Sequence, residues 1–131
     1  MFRLVPLRLL VLGIIFTPFE SVLAQSVDEI GEVIGNAVNS KYVSITNHRY
    51  QQGNFSDMIT GTLINNSTQE IPVISVVAAL YNKDDKLITT GISAADTSDL
   101  PGGDSSAFSI NLYNLGNDVV DHYALFPGGT P

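Results

Sequence analysis

Two histidines, His48 and His122, are the side chains of this 131-residue chain best suited to exchange protons near neutral pH without a large shift. Asp121 and Asp118 lie close to His122 in sequence, and a carboxylate beside an imidazole could begin a hydrolytic constellation. No serine stands in a nucleophile-elbow setting, so a hydrolase using His122 is the lesser alternative to an ordinary surface or half-buried histidine. A zinc site from both histidines and a carboxylate would require His48 and His122 to meet across the fold. Cysteine is absent from the whole chain, which excludes disulfides, thiol catalysis and cysteine-ligated metals.

Carboxylates offer a second route to chemistry. Asp84 and Asp85 fall in one turn, and Asp96, Asp99 and Asp104 surround Leu100-Pro101-Gly102-Gly103; together they supply the oxygen ligands a hard cation such as calcium needs. Neither group has the Asp-x-Asp-x-Asp-Gly spacing of a calcium loop. Aspartate is also common in turns because its side chain bonds the nearby backbone, and that reading outweighs the metal one. Three sequons, Asn54-Phe55-Ser56, Asn65-Asn66-Ser67 and Asn66-Ser67-Thr68, would accept glycans in a host with the machinery. No catalytic residue and no cofactor motif emerges.

The elements that must position these residues are short strands. From Tyr42 onward apolar residues recur with period two, in segments separated by turn residues. Residues 42–50 and 57–64 give the first two strands, with Asn65-Asn66-Ser67-Thr68 as a turn. Residues 72–82 give a third, in which Ile74, Val76, Ala78 and Leu80 form a wholly apolar face. Its opposite face, Val73, Ser75, Val77, Ala79 and Tyr81, is too apolar for plain solvent surface, which implies a central strand partly covered on both sides. Lys83-Asp84-Asp85-Lys86 then links it to a fourth strand, 87–93, in a hairpin with Asp85 tolerating the left-handed region. At Leu100-Pro101-Gly102-Gly103, proline fixes φ at the first inner position and Gly102 supplies φ > 0 at the next. Phe108, Ile110 and Leu112 point inward from the fifth strand, Ser109 and Asn111 outward, and 119–126 is the last strand. Six or seven such strands make an all-β, small antiparallel sandwich.

The N-terminal segment differs in kind. Residues 1–8 carry Arg3 and Arg8 and no acid, LLVLGIIF (9–16) is apolar, and Pro18 and Glu20 break the run, in the order of a secretory signal peptide. Val22 and Ala24 occupy the small-residue positions of a cleavage site, which makes 1–24 the leader and Gln25 the mature N-terminus. The run is far shorter than the ~20 residues of a spanning helix, so no transmembrane helix remains after its removal. The chain carries a net charge of −7, and loss of two arginines and one glutamate makes the remainder more acidic still. Such a domain repels phosphate backbones and anionic lipid, which argues against nucleic acid and membrane surfaces as partners. In QSVDEIGEVIGNAVNS (25–40), Val27, Ile30, Ile34, Ala37 and Val38 recur at helical spacing behind a Ser26/Glu29 capping pattern, although Gly31 and Gly35 weaken a helix. It reads as a short, weak helix or an ordered lead-in.

Ala78-Ala79-Leu80-Tyr81-Asn82 resembles the motif that names the FxLYD domains, Phe-x-Leu-Tyr-Asp, with alanine for phenylalanine and asparagine for aspartate. Gly61-Thr62-Leu63-Ile64-Asn65-Asn66-Ser67 is similar to that family's preceding Gly-x-Val-x-Asn segment, and Leu100-Pro101-Gly102-Gly103 followed by Phe108 resembles its later landmarks. The likeness spans about residues 57–126. It implies an immunoglobulin-like β-sandwich over 41–127, with 128–131 as a tail, in an exported or envelope protein of unknown biochemical function and without catalytic residues. The expectation is a noncatalytic module, secreted, periplasmic or held in the cell envelope. Its role would be structural or protein–protein interaction with another envelope or extracellular protein, through a sheet face or an unpaired edge. Two outcomes compete with it: the lead-in covers the second apolar face of 72–82, or a pocket with convergent polar groups marks a small-ligand or calcium-binding domain.

Overall fold

The computed structural model describes residues 32–113 and 115–131. The leader, its cleavage point and the first part of the lead-in lie outside the described residues. Period-two patterning governs the rest: seven strands form two sheets, and there is no helix among the described residues. In chain order they are β1 Ile34–Ala37, β2 Val43–Gln51, β3 Asp57–Asn65, β4 Ser75–Tyr81, β5 Leu87–Ala94, β6 Ser105–Leu112 and β7 His122–Gly128. One sheet has the order β1-β7-β4-β5 and the other β2-β3-β6. The protein is a small all-β sandwich.

Its core is what the alternation predicts. Val76, Ala78 and Leu80 of β4, Phe108, Ile110 and Leu112 of β6, Ile59 and Leu63 of β3, and Leu125 of β7 are buried between the sheets. Each large aliphatic or aromatic side chain withdrawn from water in this way contributes roughly 1.5–3 kcal/mol. With no disulfide, that packing and the strand ladders hold the domain.

Four expectations need correction. The described part of the lead-in is not helical: β1 pairs in parallel with β7, Ile34 opposite His122 through Ala37 opposite Leu125, so the sandwich is not wholly antiparallel. The reason is packing. A Cβ on Gly35 would lie 2.1 Å from the Tyr123 ring, so the bare glycine backbone is what lets β1 lie against that ring. The last strand starts at His122 rather than 119, because Val119 is 78% exposed and pairs with nothing in the ladder, while Val120 turns inward. The third expected strand, 72–82, narrows to Ser75–Tyr81, and its predecessor Ile71 forms an isolated bridge with Leu100 instead.

The fourth correction is the proline turn. Gly103, not Gly102, has the positive φ of 84°, and Asp104 N–H donates to Pro101 O at 3.1 Å, so the turn runs one residue later than its sequence suggests. Gly102 is needed for another reason: a Cβ there would approach the Thr68 carbonyl carbon to 2.6 Å. The β4–β5 hairpin does follow expectation, with Asp85 at φ 61°. The Asn82 side-chain oxygen accepts from the N–H groups of Asp84 and Lys86, at 2.9 and 3.1 Å, and this fixes the loop.

Candidate functional site

Because side chains alternate along a strand, neighbours His122 and Tyr123 of β7 face opposite sides of the four-stranded sheet, and each organises a polar cluster. On the outer side, His122 Nδ1 lies 2.8 Å from Asp121 Oδ2 and Nε2 lies 2.9 Å from Asp85 Oδ1. A protonated ring donates to both carboxylates; a neutral ring donates to one. The ring stacks on Tyr81, its cross-strand partner, with centroids 5.2 Å apart and planes 14° apart. Asp121 is thus the neighbour the sequence suggests, and Asp85 is one it does not. Asp118 stays in its own turn, where its N–H donates to Leu115 O at 3.2 Å.

On the inner side, Tyr123 is 2% exposed and its hydroxyl lies 2.9 Å from His48 Nδ1, with the two rings edge to face. Tyr50 packs against the same tyrosine and donates its hydroxyl to Asp57 Oδ2. Burial lowers the His48 pKa below 6.5 and pushes Tyr123 up to about 12. Tyr50 is raised further, first by burial and then by its hydrogen bond and charge contact with Asp57. This arrangement suits a Tyr123 hydroxyl donating to a neutral imidazole. His48 and His122 therefore lie on opposite sides of β7, and the zinc pair considered from sequence is not formed.

All five turn aspartates have their backbone N–H hydrogen-bonded. Asp85 is the His122 partner and Asp84 is exposed in the same loop. Asp96 donates its N–H to Ala107 O, Asp99 to Pro72 O, and Asp104 to Pro101 O, at 2.9, 2.9 and 3.1 Å. Among the described residues no three acidic or histidine side chains come close enough to hold a metal ion. Surface grooves among the described residues include one of about 340 Å³ beside Phe55, Asp57 and Leu115 and one of about 400 Å³ beside Asn82, Asp84 and Val119. Neither is lined by a histidine.

Asn65 is a residue that sequence reading undervalues. It is fully buried, its amide Nδ2 donates to Gln69 O at 2.8 Å and Leu100 O at 2.9 Å, and its Oδ1 accepts from Ser67 N–H and Oγ–H. Both amide protons are committed, so this sequon asparagine is structural. Asn54 and Asn66 are exposed.

The largest chemical feature is a surface. Registers across β1, β7, β4 and β5 set the outward side chains in rows: Ile34, His122, Tyr81 and Leu87; then Asn36, Ala124, Ala79 and Thr90; then Phe126, Val77 and Ile92. No carboxylate, lysine or arginine stands in those rows. Ile92 is 70% exposed, Leu87 56%, Ile34 47% and Phe126 42%, and Val73, beyond the end of β4, is 65% exposed. The described part of the lead-in widens this sheet from its edge instead of lying across the face. The signal was present in sequence as the apolar second face of 72–82, but the contributions of Ile92 and Phe126 depend on register.

Fold and surface define the class, a two-sheet β-sandwich domain with a largely apolar outer face that ends in the His122, Asp85 and Asp121 cluster. In comparisons with known proteins, no family model, no curated protein and no solved structure matches this chain. Among the described residues, no helix is long and apolar enough to cross a membrane.

Proposed function

We propose that the chain is a noncatalytic, exported interaction module that binds another envelope or extracellular protein through the outer face of the β1-β7-β4-β5 sheet. One observation carries this reading: in an acidic protein, the Phe126, Val77 and Ile92 row and the adjoining Asn36, Ala124, Ala79 and Thr90 row hold no charged side chain, and the carboxylates of Asp85 and Asp121 stand only at the far end of the face beside His122. The FxLYD resemblance supports it, since that family implies an exported, immunoglobulin-like module without catalytic residues. The His122 cluster supports it as well, because both ring nitrogens are engaged by carboxylates rather than by a nucleophile. Export itself rests on the leader-like residues 1–24.

The test compares the exported chain with Phe126→Lys in affinity capture from an envelope extract of the host, with and without a calcium chelator. A protein retained by the native chain and lost from the variant, with or without chelator, is the expected result. Retention of the same proteins by both forms would remove the face from the reading, and loss on chelation alone would move the site to the turn aspartates. Intact mass should place Gln25 at the N-terminus of the exported form.

A further inference from the structure

Phe55 is the most exposed large apolar side chain among the described residues, at 95%. It stands in the short loop between β2 and β3, which is drawn tight at Gly53, where a Cβ would lie 2.3 Å from Ser56 O. The ring borders the groove of about 340 Å³ that runs between this loop and the β6–β7 connection. Such a volume lies at the lower end of the roughly 300–1,000 Å³ of small-molecule sites. Leu112 and Leu115 line it with apolar surface, and Asp57 and Asp118 bring carboxylates to it. The Asp57 carboxylate is held at both oxygens: Tyr50 O–H donates to Oδ2, and Gly53 N–H donates to Oδ1 at 3.2 Å. Each carboxylate oxygen has a second lone pair, so Asp57 keeps acceptor capacity in a fixed position.

We propose that this groove binds a neutral, polyhydroxylated ligand, a pyranose unit of a glycan. It shares no residue with the rows of the outer face, so the site is separate from the protein-binding surface and does not rest on it. The lining selects the ligand class. An anion is repelled by Asp57 and Asp118 in a chain of net charge −7. A wholly apolar ligand would strip water from both carboxylates and return no hydrogen bond. A small cation gains little, because Asp118 is exposed to water and Asp57 already has two donors. A sugar ring answers each part of the groove: its C–H face packs on the Phe55 ring and Leu115, and hydroxyls at its edge donate to Asp57 and Asp118.

Amide-resolved NMR titration of the exported chain with cellohexaose, chitohexaose and mannohexaose tests the site. An open groove with one aromatic side chain predicts a Kd on the order of 1 mM for at least one of these probes. Shifts should gather at residues 53–57 and 115–118. They should persist in about 0.5 M sodium chloride, because no charge is neutralised on binding. Phe55→Ala removes only an exposed ring, so it should weaken binding about tenfold and leave the rest of the spectrum unchanged. Asp118→Asn keeps an acceptor oxygen and should weaken binding less. No shift from any of the three at about 10 mM, shifts outside the groove, or equal binding by the Phe55→Ala chain would overturn the proposal. So would shifts of the same amides by agmatine, a small cation, at low salt only and without any response to the sugars. The Phe55→Ala chain should still capture the Phe126-dependent protein, so failure of either reading leaves the other standing.

Discussion

Asn65 joins two turns through a single buried amide. Its backbone N–H donates to Asp104 O, its C=O accepts from Gly103 N–H, and its side chain holds Leu100 and Gln69. Asn65→Ala leaves buried acceptors without donors, at about 1–3 kcal/mol for each unpaired group. The expected result is a lower urea midpoint with an unchanged denaturant slope, read by chemical denaturation. At this scale the sequence was legible where the cause is local. Asp85 adopts a positive φ as its residue type allows. Gly103 replaces Gly102 as the left-handed residue because Gly102 is taken up by the close approach of the Thr68 backbone, a contact between distant segments. The same non-locality hid Asp85 as a partner of His122 and Tyr123 as a partner of His48.

At the scale of elements, strands with clean alternation could be read from sequence to within a few residues, because burying one face leaves a period-two record that local composition does not blur. β1 left no such record. Four residues are too few to establish a period, parallel pairing needs no adjacent turn, and Gly35 looks like a helix breaker until the Tyr123 ring is placed over it. Gly35→Val tests that contact. The added side chain must displace the ring or lift β1 from β7, which costs about 1–3 kcal/mol of overpacking. Hydrogen exchange at residues 34–37 should quicken more than exchange in β3, and equal protection in both forms would show that the ring does not constrain the strand. The candidate surface was half visible: the second face of β4 is plain in the sequence, while its continuation onto β5 and β7 follows from register.

For the whole molecule, the His48, Tyr123 and Tyr50 cluster couples stability to pH at both ends. The folded pKa of His48 lies below its ordinary 6.5, so between these values the unfolded chain holds a proton that the folded chain does not. Stability is therefore highest above 6.5 and falls as the pH drops below it. Tyr123 has the opposite sign: its pKa rises from 10.0 to about 12, so above pH 10 the unfolded chain loses its proton first and stability falls towards pH 12. Thermal melts across this range should show both declines. His48→Gln should flatten the acid side and Tyr123→Phe the alkaline side; unchanged profiles would uncouple the cluster from folding.

The position of β7 bears on when the chain can fold. It is the C-terminal strand, yet it lies inside its sheet, between the earliest described strand and β4. Until residues 122–128 have been synthesised, β1 has no neighbour and the β4–β5 hairpin has only itself, so that sheet cannot close on a nascent chain. That sheet therefore depends on a pairing between the first and last described strands, a contact of long sequence separation that no local turn supplies.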